Sequence, residues 1–377
     1  MMNMTHIPVY IPVFRLRQQE QKVLTTFDFG EQIYPYVEII KEYDKARVQS
    51  KKLKKDGTLP KPPKSKTFEE IHLPVIAAIK SKKVFVDLPS HFIERKGTQP
   101  AVISFMTSIV NKRDLRTSFM KKFNVLSDKV IPVISTYFHK TNEPNTIVAQ
   151  AEDLRPTYST ICFRTCLSSY KNDIIQIKKV IQAQDFIVLD LENCEVDIDD
   201  PEINDMINAL SDFDKSHFFL IRSALDKNMT NIGIKHGEII DTADNSLAVK
   251  FRQLGAVGFG DYAGVKRDDL ADGGTVSPGF VFYDVTSNNF YGFRGSKKPV
   301  IEDFENIIIP AVLSSEAVTR MNNSGREYLC ERNRGWSMLN GMDTHAESSK
   351  NQAKFKRVSM EHYLHCIRTR IEDGDFI

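Results

Sequence analysis

A series of short apolar runs, most of which end on a charged residue, constrains the fold of this chain more than any other feature. Stretches of helical composition separate most of the runs, so strands and helices are expected to alternate. The eight runs cover residues 9–17, 33–39, 84–88, 130–138, 160–165, 186–192, 218–223 and 256–262. Eight such strands are typical of a (β/α)8 TIM-barrel-like α/β fold, whose site lies where the strands end.

The chain is predicted to contain one barrel and a smaller C-terminal part. We expect residues 1–322 to form the barrel and residues 323–377 to form a helical appendage. A basic, proline-bearing insertion over residues 44–66 interrupts the barrel. Residues 279–295 contain two apolar runs around a polar turn, which predicts a hairpin.

Several helices can be placed from local patterns. Thr67, with Glu70 three residues later, forms a capping-box pattern, so a helix is expected to begin there. We expect a helix over 299–321 that closes the barrel and a final helix over 359–371. The polar stretch 340–356 is expected to be loose.

Composition limits the classes of partner and compartment. The formal net charge of +2 at pH 7 is too small to indicate nucleic-acid or membrane binding without local clustering of charge. Five cysteines are few for 377 residues and odd in number, which favours thiols in a reducing compartment. No run approaches the roughly 18 apolar residues that a membrane span needs, and a secretion signal is not recognisable. We therefore expect a cytoplasmic protein without a membrane partner.

Charged residues at the strand ends are expected to meet at one mouth of the barrel. Carboxylates there can hold Mg²⁺ or Mn²⁺ and activate water. Asp190 and Glu192 are two residues apart, which places them on one face of a strand and makes them the predicted metal ligands. The predicted catalytic residues are Glu38, Asp87, Asp190 and Glu192.

Basic residues at the same mouth are candidates for phosphate binding, because guanidinium groups bind phosphate oxygens in a bidentate manner. Arg15 and Arg17 both come from the end of the first run. The predicted phosphate-binding arginines are Arg17, Arg164 and Arg222. Further residues predicted at the mouth are Tyr137, His139, Asp261, Tyr262 and Arg294. Together with the carboxylates, they favour phosphoester binding or metal-assisted hydrolysis.

Opposite charges at a barrel mouth can also form a purely structural ion-pair network. In that interpretation Arg164 and Arg222 neutralise Asp190 and Asp87, and no chemistry follows. Placement at the strand ends is sensitive to register, because a shift of one residue turns a side chain outward. Both interpretations remain open from the sequence.

Lysines after the second strand form the clearest electrostatic feature of the chain. The candidate phosphate contacts are Lys51, Lys52, Lys54 and Lys55. Basic arms of this kind contact the nucleic-acid backbone. The alternative is a solvated insertion without a ligand, since no aromatic residues are interleaved with the lysines.

Two segments of the chain resemble a known family. The opening, YIPVFRLRQQEQKVLTTF followed by IYPYVEI, is similar to that of the bacteriophage-type beta protein family, with a basic residue, a glutamate, a helix and then a proline-led strand ending in glutamate. In this chain these features are Arg17, Glu20 and Glu38. The late segments FGDYAGV and VFYDVTSNNFYGFRG, which ends at Arg294 and Gly295, also resemble the family. The resemblance implies a barrel fold and a setting in phage–host conflict, and it supplies no reaction.

We therefore predict an antiphage-defence protein whose barrel mouth binds a phosphorylated ligand, either nucleic acid or a nucleotide, with metal-assisted phosphoester hydrolysis using Mg²⁺ or Mn²⁺. The alternative is a non-catalytic sensor or adaptor that recognises a phage protein or a nucleotide signal and acts through a partner protein. The sequence contains no intact catalytic signature that decides between them.

Overall fold

The computed structural model describes residues 7–42, 66–90, 94, 97–136, 143–210, 213, 217–267, 270 and 277–376. Several predicted site residues lie outside the described residues. They are Lys51, Lys52, Lys54, Lys55, Tyr137 and His139.

Strands and helices alternate through most of the described chain. The strands are β1 (Val13–Arg15), β2 (Asp28–Gly30), β3 (Tyr36–Glu38), β4 (Lys80–Ser81), β5 (Val84–Asp87), β6 (Val130–Ser135), β7 (Cys162–Cys166), β8 (Phe186–Asp190), β9 (Phe218–Ile221), β10 (Glu238–Ile239), β11 (Gly258–Gly260), β12 (Gly279–Asp284) and β13 (Asn289–Arg294). The α-helices are α1 (Gln18–Thr26), α2 (Phe68–Ala78), α3 (Pro100–Asn111), α4 (Arg113–Lys121), α5 (Thr146–Leu154), α6 (Tyr170–Val180), α7 (Pro201–Asn208), α8 (Leu247–Lys250), α9 (Ile309–Leu313), α10 (Glu316–Asn322), α11 (Arg334–Asp343) and α12 (Gln352–Glu372).

Eight parallel strands form the central sheet, in the order β1-β3-β5-β6-β7-β8-β9-β11. Each predicted apolar run contains one of them. The two edges of the sheet also meet: the Ile11 amide donates to the Phe259 carbonyl at 2.9 Å and the Val13 amide to the Asp261 carbonyl at 2.7 Å. The fold is therefore a mixed α/β, TIM-barrel-like arrangement, closed by strand pairing rather than by the predicted helix over 299–321.

Two apolar clusters divide the core between the inside and the outside of the barrel. The larger cluster packs the strands against the helices. The smaller one fills the inside, and its residues recur at every second position of a strand, as the alternation of strand side chains requires. The members of this cluster that lie on strands are Val13, Tyr36, Phe85, Ile131, Val133, Cys162, Phe186, Val188, Phe219 and Ile221.

Side-chain caps explain two helix boundaries, the start of α2 and the break within the predicted helix over 299–321. At α2 the Thr67 hydroxyl accepts from the Glu70 amide at 3.2 Å and the Glu70 carboxylate accepts from the Thr67 amide at 2.8 Å, so the predicted capping box is confirmed. The predicted continuous helix over 299–321 is wrong, because the segment is split. The Ser315 hydroxyl accepts from the Val318 amide and starts α10 as a new helix.

A hairpin precedes the C-terminal part, whose last helix packs against it. Strands β12 and β13 pair antiparallel from Gly279↔Arg294 to Asp284↔Asn289, which confirms the predicted hairpin. The expectation of a loose stretch over 340–356 is wrong at both its ends, where α11 and α12 include its residues. No helix among the described residues combines the length and hydropathy required to cross a bilayer.

Candidate functional site

The apolar interior of the barrel ends in a polar layer at the carboxyl ends of the strands. This layer follows from the two-residue period of the strands, because each of its residues lies two positions beyond an inward-facing apolar one. Its members are Arg15, Glu38, Asp87, Ser135, Arg164 and Asp190. All are buried. The sequence of the strands therefore places charges of both signs close together inside the mouth.

Arg164 lies at the centre of this layer and contacts three carboxylates. Its Nη1 donates to Glu38 Oε1 at 2.8 Å and to Asp87 Oδ2 at 2.8 Å. Its Nη2 donates to Asp190 Oδ2 at 2.6 Å. The Arg164 side chain is 4% exposed and the carboxylates are 1% exposed or less. Such short, charge-assisted hydrogen bonds fix the four side chains relative to one another.

Two further arginines flank the central group. Arg15 Nε donates to Glu38 Oε2 at 2.8 Å. On the other side, Arg267 Nη1 lies 3.9 Å from Asp190 Oδ2, and its guanidinium lies over the Tyr262 ring at 5.8 Å. Three guanidinium groups and three carboxylates therefore share one mouth, and their formal charges balance when all are ionised.

Ionisation of the carboxylates differs between neighbouring strands. Burial acts to raise the pKa of Glu38, but the guanidinium groups of Arg15 and Arg164 outweigh it and lower that pKa to about 2. Burial raises the pKa of Asp87 to about 6, and the attraction of Arg164 compensates only in part. Glu38 is therefore a fixed anion, whereas Asp87 can carry a proton close to neutral pH.

Four buried polar atoms at the mouth make no hydrogen bond within the described part of the chain. Three lie on neighbouring strands β5, β6 and β7, and the fourth follows β11. They are Asp87 Oδ1, Ser135 Oγ, Arg164 Nε and the Tyr262 hydroxyl. Buried polar atoms in folded proteins are nearly always paired, so these four have unused hydrogen-bonding capacity.

The structure brings only part of the predicted site together. Glu38, Asp87, Arg164 and Asp190 converge, with Tyr262 beside them. Arg17 directly precedes α1, beyond the end of β1. These placements describe the arrangement of the residues, and the catalytic and phosphate-binding roles stay predictions.

Other predicted mouth residues lie elsewhere. Arg222 lies one residue beyond the inward-facing Ile221 and therefore lies on the outer side of the barrel. There its Nη1 contacts Asp244 Oδ2 at 2.6 Å. Asp261, also on the outer face, accepts from the Tyr10 hydroxyl at 2.7 Å and from the Tyr363 hydroxyl. Arg294 ends β13, where its Nη1 donates to the Ile232 carbonyl. Register within each strand decides these positions.

Glu192 does not lie on the strand that carries Asp190. β8 ends at Asp190, and Glu192 adopts a left-handed conformation with φ of 55° in the following turn. Its backbone amide donates to Asp190 Oδ1 at 2.8 Å. Both oxygens of Asp190 therefore hold a hydrogen bond, one from this turn and one from Arg164.

The predicted metal ligands do not fit a metal site in this arrangement. Asp190 and Glu192 share no strand face, and a guanidinium lies among the three converging carboxylates where a cation would otherwise bind. Within the described ranges, no group of three or more His, Cys, Asp or Glu side chains has the geometry of a metal centre. We therefore derive no step through Mg²⁺ or Mn²⁺.

Sequence reasoning missed Ser135 and Arg267 at the mouth. Ser135 has a signal, since it lies two residues beyond the inward-facing Val133 at the end of β6. Arg267 has none, because it lies in a connection five residues beyond Tyr262 and reaches the mouth only through the path of that connection.

Comparison with known proteins identifies one family. A family model described as Beta protein matches residues 10–368, which is nearly the whole chain. No curated protein matches the chain. The match includes β1, the polar layer, the hairpin and most of α12. The chain belongs to the Beta protein family.

Proposed function

We propose that this protein is a phage-associated binding protein in phage–host conflict, and that its barrel mouth binds the phosphoryl group of a nucleotide or nucleic acid. Family membership supports the phage setting. The observation that carries the binding proposal is the set of four buried polar atoms at the mouth without hydrogen-bond partners among the described residues. A ligand that pairs with them would remove the free-energy cost of leaving them unsatisfied.

The chemistry of these four atoms favours an anion. Arg164 Nε and the hydroxyls of Ser135 and Tyr262 can all donate. Asp87 becomes a fourth donor when protonated, and its raised pKa of about 6 makes this form accessible. Arg15 and Arg267 add positive charge at the edges of the group. Phosphate oxygens accept several hydrogen bonds at once and match such a set of donors.

Binding is favoured over hydrolysis by the state of the carboxylates. Glu38 and Asp190 each accept hydrogen bonds on both carboxylate oxygens, which leaves neither positioned as a base for an attacking water. The third carboxylate, Asp87, keeps Oδ1 unpaired, and we assign this oxygen to contact with the ligand. We therefore assign the mouth a recognition role, as in a sensor or adaptor that acts through a partner protein.

Two broader assignments accompany this proposal. We assign the barrel to the (β/α)8 topology, supported by the strand order and by the helices that follow most strands. We also place the protein in the cytoplasm, which is supported by five cysteines that are all free thiols.

Tyr262→Phe tests the proposal because it removes one unpaired hydroxyl and keeps the ring. The stability of the free protein should be unchanged or slightly higher, since the hydroxyl has no partner to lose. Binding of the phosphorylated ligand should weaken about tenfold, the equivalent of one hydrogen bond of about 1.4 kcal/mol. Calorimetric titration of purified protein with nucleotides and short oligonucleotides, each offered with and without Mg²⁺, measures this difference.

Tyr158→Phe is the matched control. Its hydroxyl donates to the Met120 carbonyl at 2.7 Å on the outer side of the barrel, so this change should lower stability and leave affinity unchanged. Equal affinity of the wild type and Tyr262→Phe would refute the assignment of the mouth. If chromatography shows that the titrant is consumed in the presence of metal, the protein is a hydrolase and not a sensor.

A further inference from the structure

A second cleft lies away from the barrel mouth, where α12 packs beside α1 and the segment before α11. Its volume is about 220 Å³, which suits a small ligand or part of a larger one. The cleft is lined by Thr26, Phe27, Asp28, Arg332, Arg334, Glu361, His365, Arg368, Thr369 and Glu372. Three arginines and one buried glutamate distinguish it from an ordinary surface depression.

Glu361 supplies the buried polar group of the cleft. Its side chain is fully buried on α12. Oε1 accepts from Arg357 Nε at 3.0 Å and from the Thr26 hydroxyl at 3.4 Å. Oε2 is buried and has no hydrogen-bond partner within the described residues. A carboxylate oxygen in this state can accept an N–H group, and burial makes that hydrogen bond stronger than it would be in water.

The lining of the cleft combines three arginines with three acidic side chains, Asp28, Glu361 and Glu372. Arg368 is held in place, since its Nε contacts Glu372 Oε1 at 2.7 Å and its Nη1 the Asp28 carbonyl at 2.8 Å. Arg334 differs: its side chain is 47% exposed, its Nε lies 3.8 Å from Glu361 Oε1, and it makes no hydrogen bond within the described chain. The donors of Arg334 are therefore available to an anion at the entrance.

We propose that this cleft binds a small molecule that joins an acidic group to an N–H donor, with the acidic group at Arg334 and the donor at Glu361 Oε2. Nucleoside monophosphates and free amino acids both have this chemistry. The exposed guanidinium of Arg334 at the entrance disfavours a simple cation, and the buried oxygen Oε2 of Glu361 disfavours a simple anion, so a ligand with both groups matches best.

The cleft is tested by calorimetric titration of the full-length protein with adenosine and guanosine monophosphate, with glutamate and glutamine, and with phosphate alone. Apart from any nucleotide held at the barrel mouth, the cleft should bind one molecule of a ligand that carries both groups, and this is the part of the binding that Arg334→Gln weakens. At the cleft, phosphate alone should bind at least tenfold more weakly. Binding of a nucleotide or of an amino acid identifies which source the cleft recognises.

Arg334→Gln and Glu361→Gln should each weaken this binding about tenfold. Arg334 is half exposed, so its change should leave the fold intact. Arg294→Gln is the matched control, because Arg294 is exposed on β13 and does not line the cleft. The proposal is overturned if no member of the panel binds, or if Arg334→Gln binds as the wild type does. Tyr262→Phe should leave binding at the cleft unchanged, which separates this proposal from that for the barrel mouth.

Discussion

A buried guanidinium that pairs with three carboxylates is costly to remove, because buried carboxylates would then lose the charge that compensates their own. Arg164 is in this position at the barrel mouth, with Glu38, Asp87 and Asp190 around it. The attraction between these groups offsets the cost of taking them out of water. The network therefore fixes the strand ends whether or not a ligand binds, and the structural and binding interpretations are compatible at this residue.

Arg164→Met should lower the free energy of unfolding by about 3–5 kcal/mol at pH 7.5, because it leaves buried carboxylates without their partner. The loss should be smaller at pH 5, since carboxylates without Arg164 can then take up protons in the folded state. Urea denaturation followed by circular dichroism at both pH values measures the two losses.

Arg113→Met is a matched control for this change. Arg113 also has three acidic partners, Asp114, Glu143 and Asp153, but the cluster is partly exposed. Its loss should cost less than about 1 kcal/mol, as is usual for exposed ion pairs. Equal losses for Arg113→Met and Arg164→Met would show that burial of the mouth network contributes nothing.

At the scale of elements, closure of the barrel depends on the approach of β11 to the segment that leads into β1. A Cβ atom at Gly260 would lie 2.4 Å from the Ile11 carbonyl oxygen and 2.9 Å from Ile221 Cγ2. Neither the backbone oxygen nor the strand side chain can move far without disturbing the pairing of Val13 with Asp261. The glycine is therefore required by strand packing.

Gly260→Ala should lower the free energy of unfolding by about 1–3 kcal/mol, the usual cost of overpacking a core. Gly233→Ala is the control, because its Cβ would lie 3.1 Å from the Thr230 hydroxyl oxygen and 3.6 Å from the Thr230 carbonyl oxygen, the second an ordinary van der Waals distance. That variant should stay within about 0.5 kcal/mol of the wild type. Chemical denaturation measures both, and a tolerated Gly260→Ala would mean that β11 can shift away from Ile11.

The strands were predictable because each apolar run is short and ends in polar residues. Period-two counting from Tyr36 to Glu38 or from Val188 to Asp190 also predicts which strand ends face inward. The same counting fails at Glu192, because β8 has already ended and a left-handed turn redirects the chain. Turn geometry of this kind depends on tertiary contacts that a single sequence does not reveal.

Long-range contacts set the remaining limits. Arg267 joins the mouth through the path of a connection, and no periodicity marks it. The predicted helix over 299–321 has the right composition, yet Ser315 caps a new helix within it. The Ser315 hydroxyl accepts a hydrogen bond from a backbone amide and so starts a new helix, an effect that helical propensity does not include.

At the scale of the whole molecule, the C-terminal helix α12 is hydrogen-bonded to the rest of the fold at several points. Near its start, Lys356 Nζ contacts Glu20 Oε1 at 2.5 Å, and the Ser359 hydroxyl donates to the Val281 carbonyl at 2.7 Å. Further along, the Tyr363 hydroxyl donates to Asp261, a fully buried carboxyl whose pKa burial raises to about 6. The segment therefore satisfies polar groups of the barrel as well as covering apolar surface.

Removal of residues 323–377 should prevent the barrel from folding on its own. The truncation exposes apolar residues on the outer side of the barrel, and Asp261 loses the hydrogen bond from the Tyr363 hydroxyl. Phe376 adds to this effect, since its ring packs 5.3 Å from that of Phe259 on β11. Expression of residues 1–322 should give aggregated material or a chain without a cooperative urea transition, whereas the full chain should unfold in one transition. A soluble 1–322 fragment with a sharp transition would instead make the C-terminal part an independent appendage, and the cleft at α12 would then lie between two separable units.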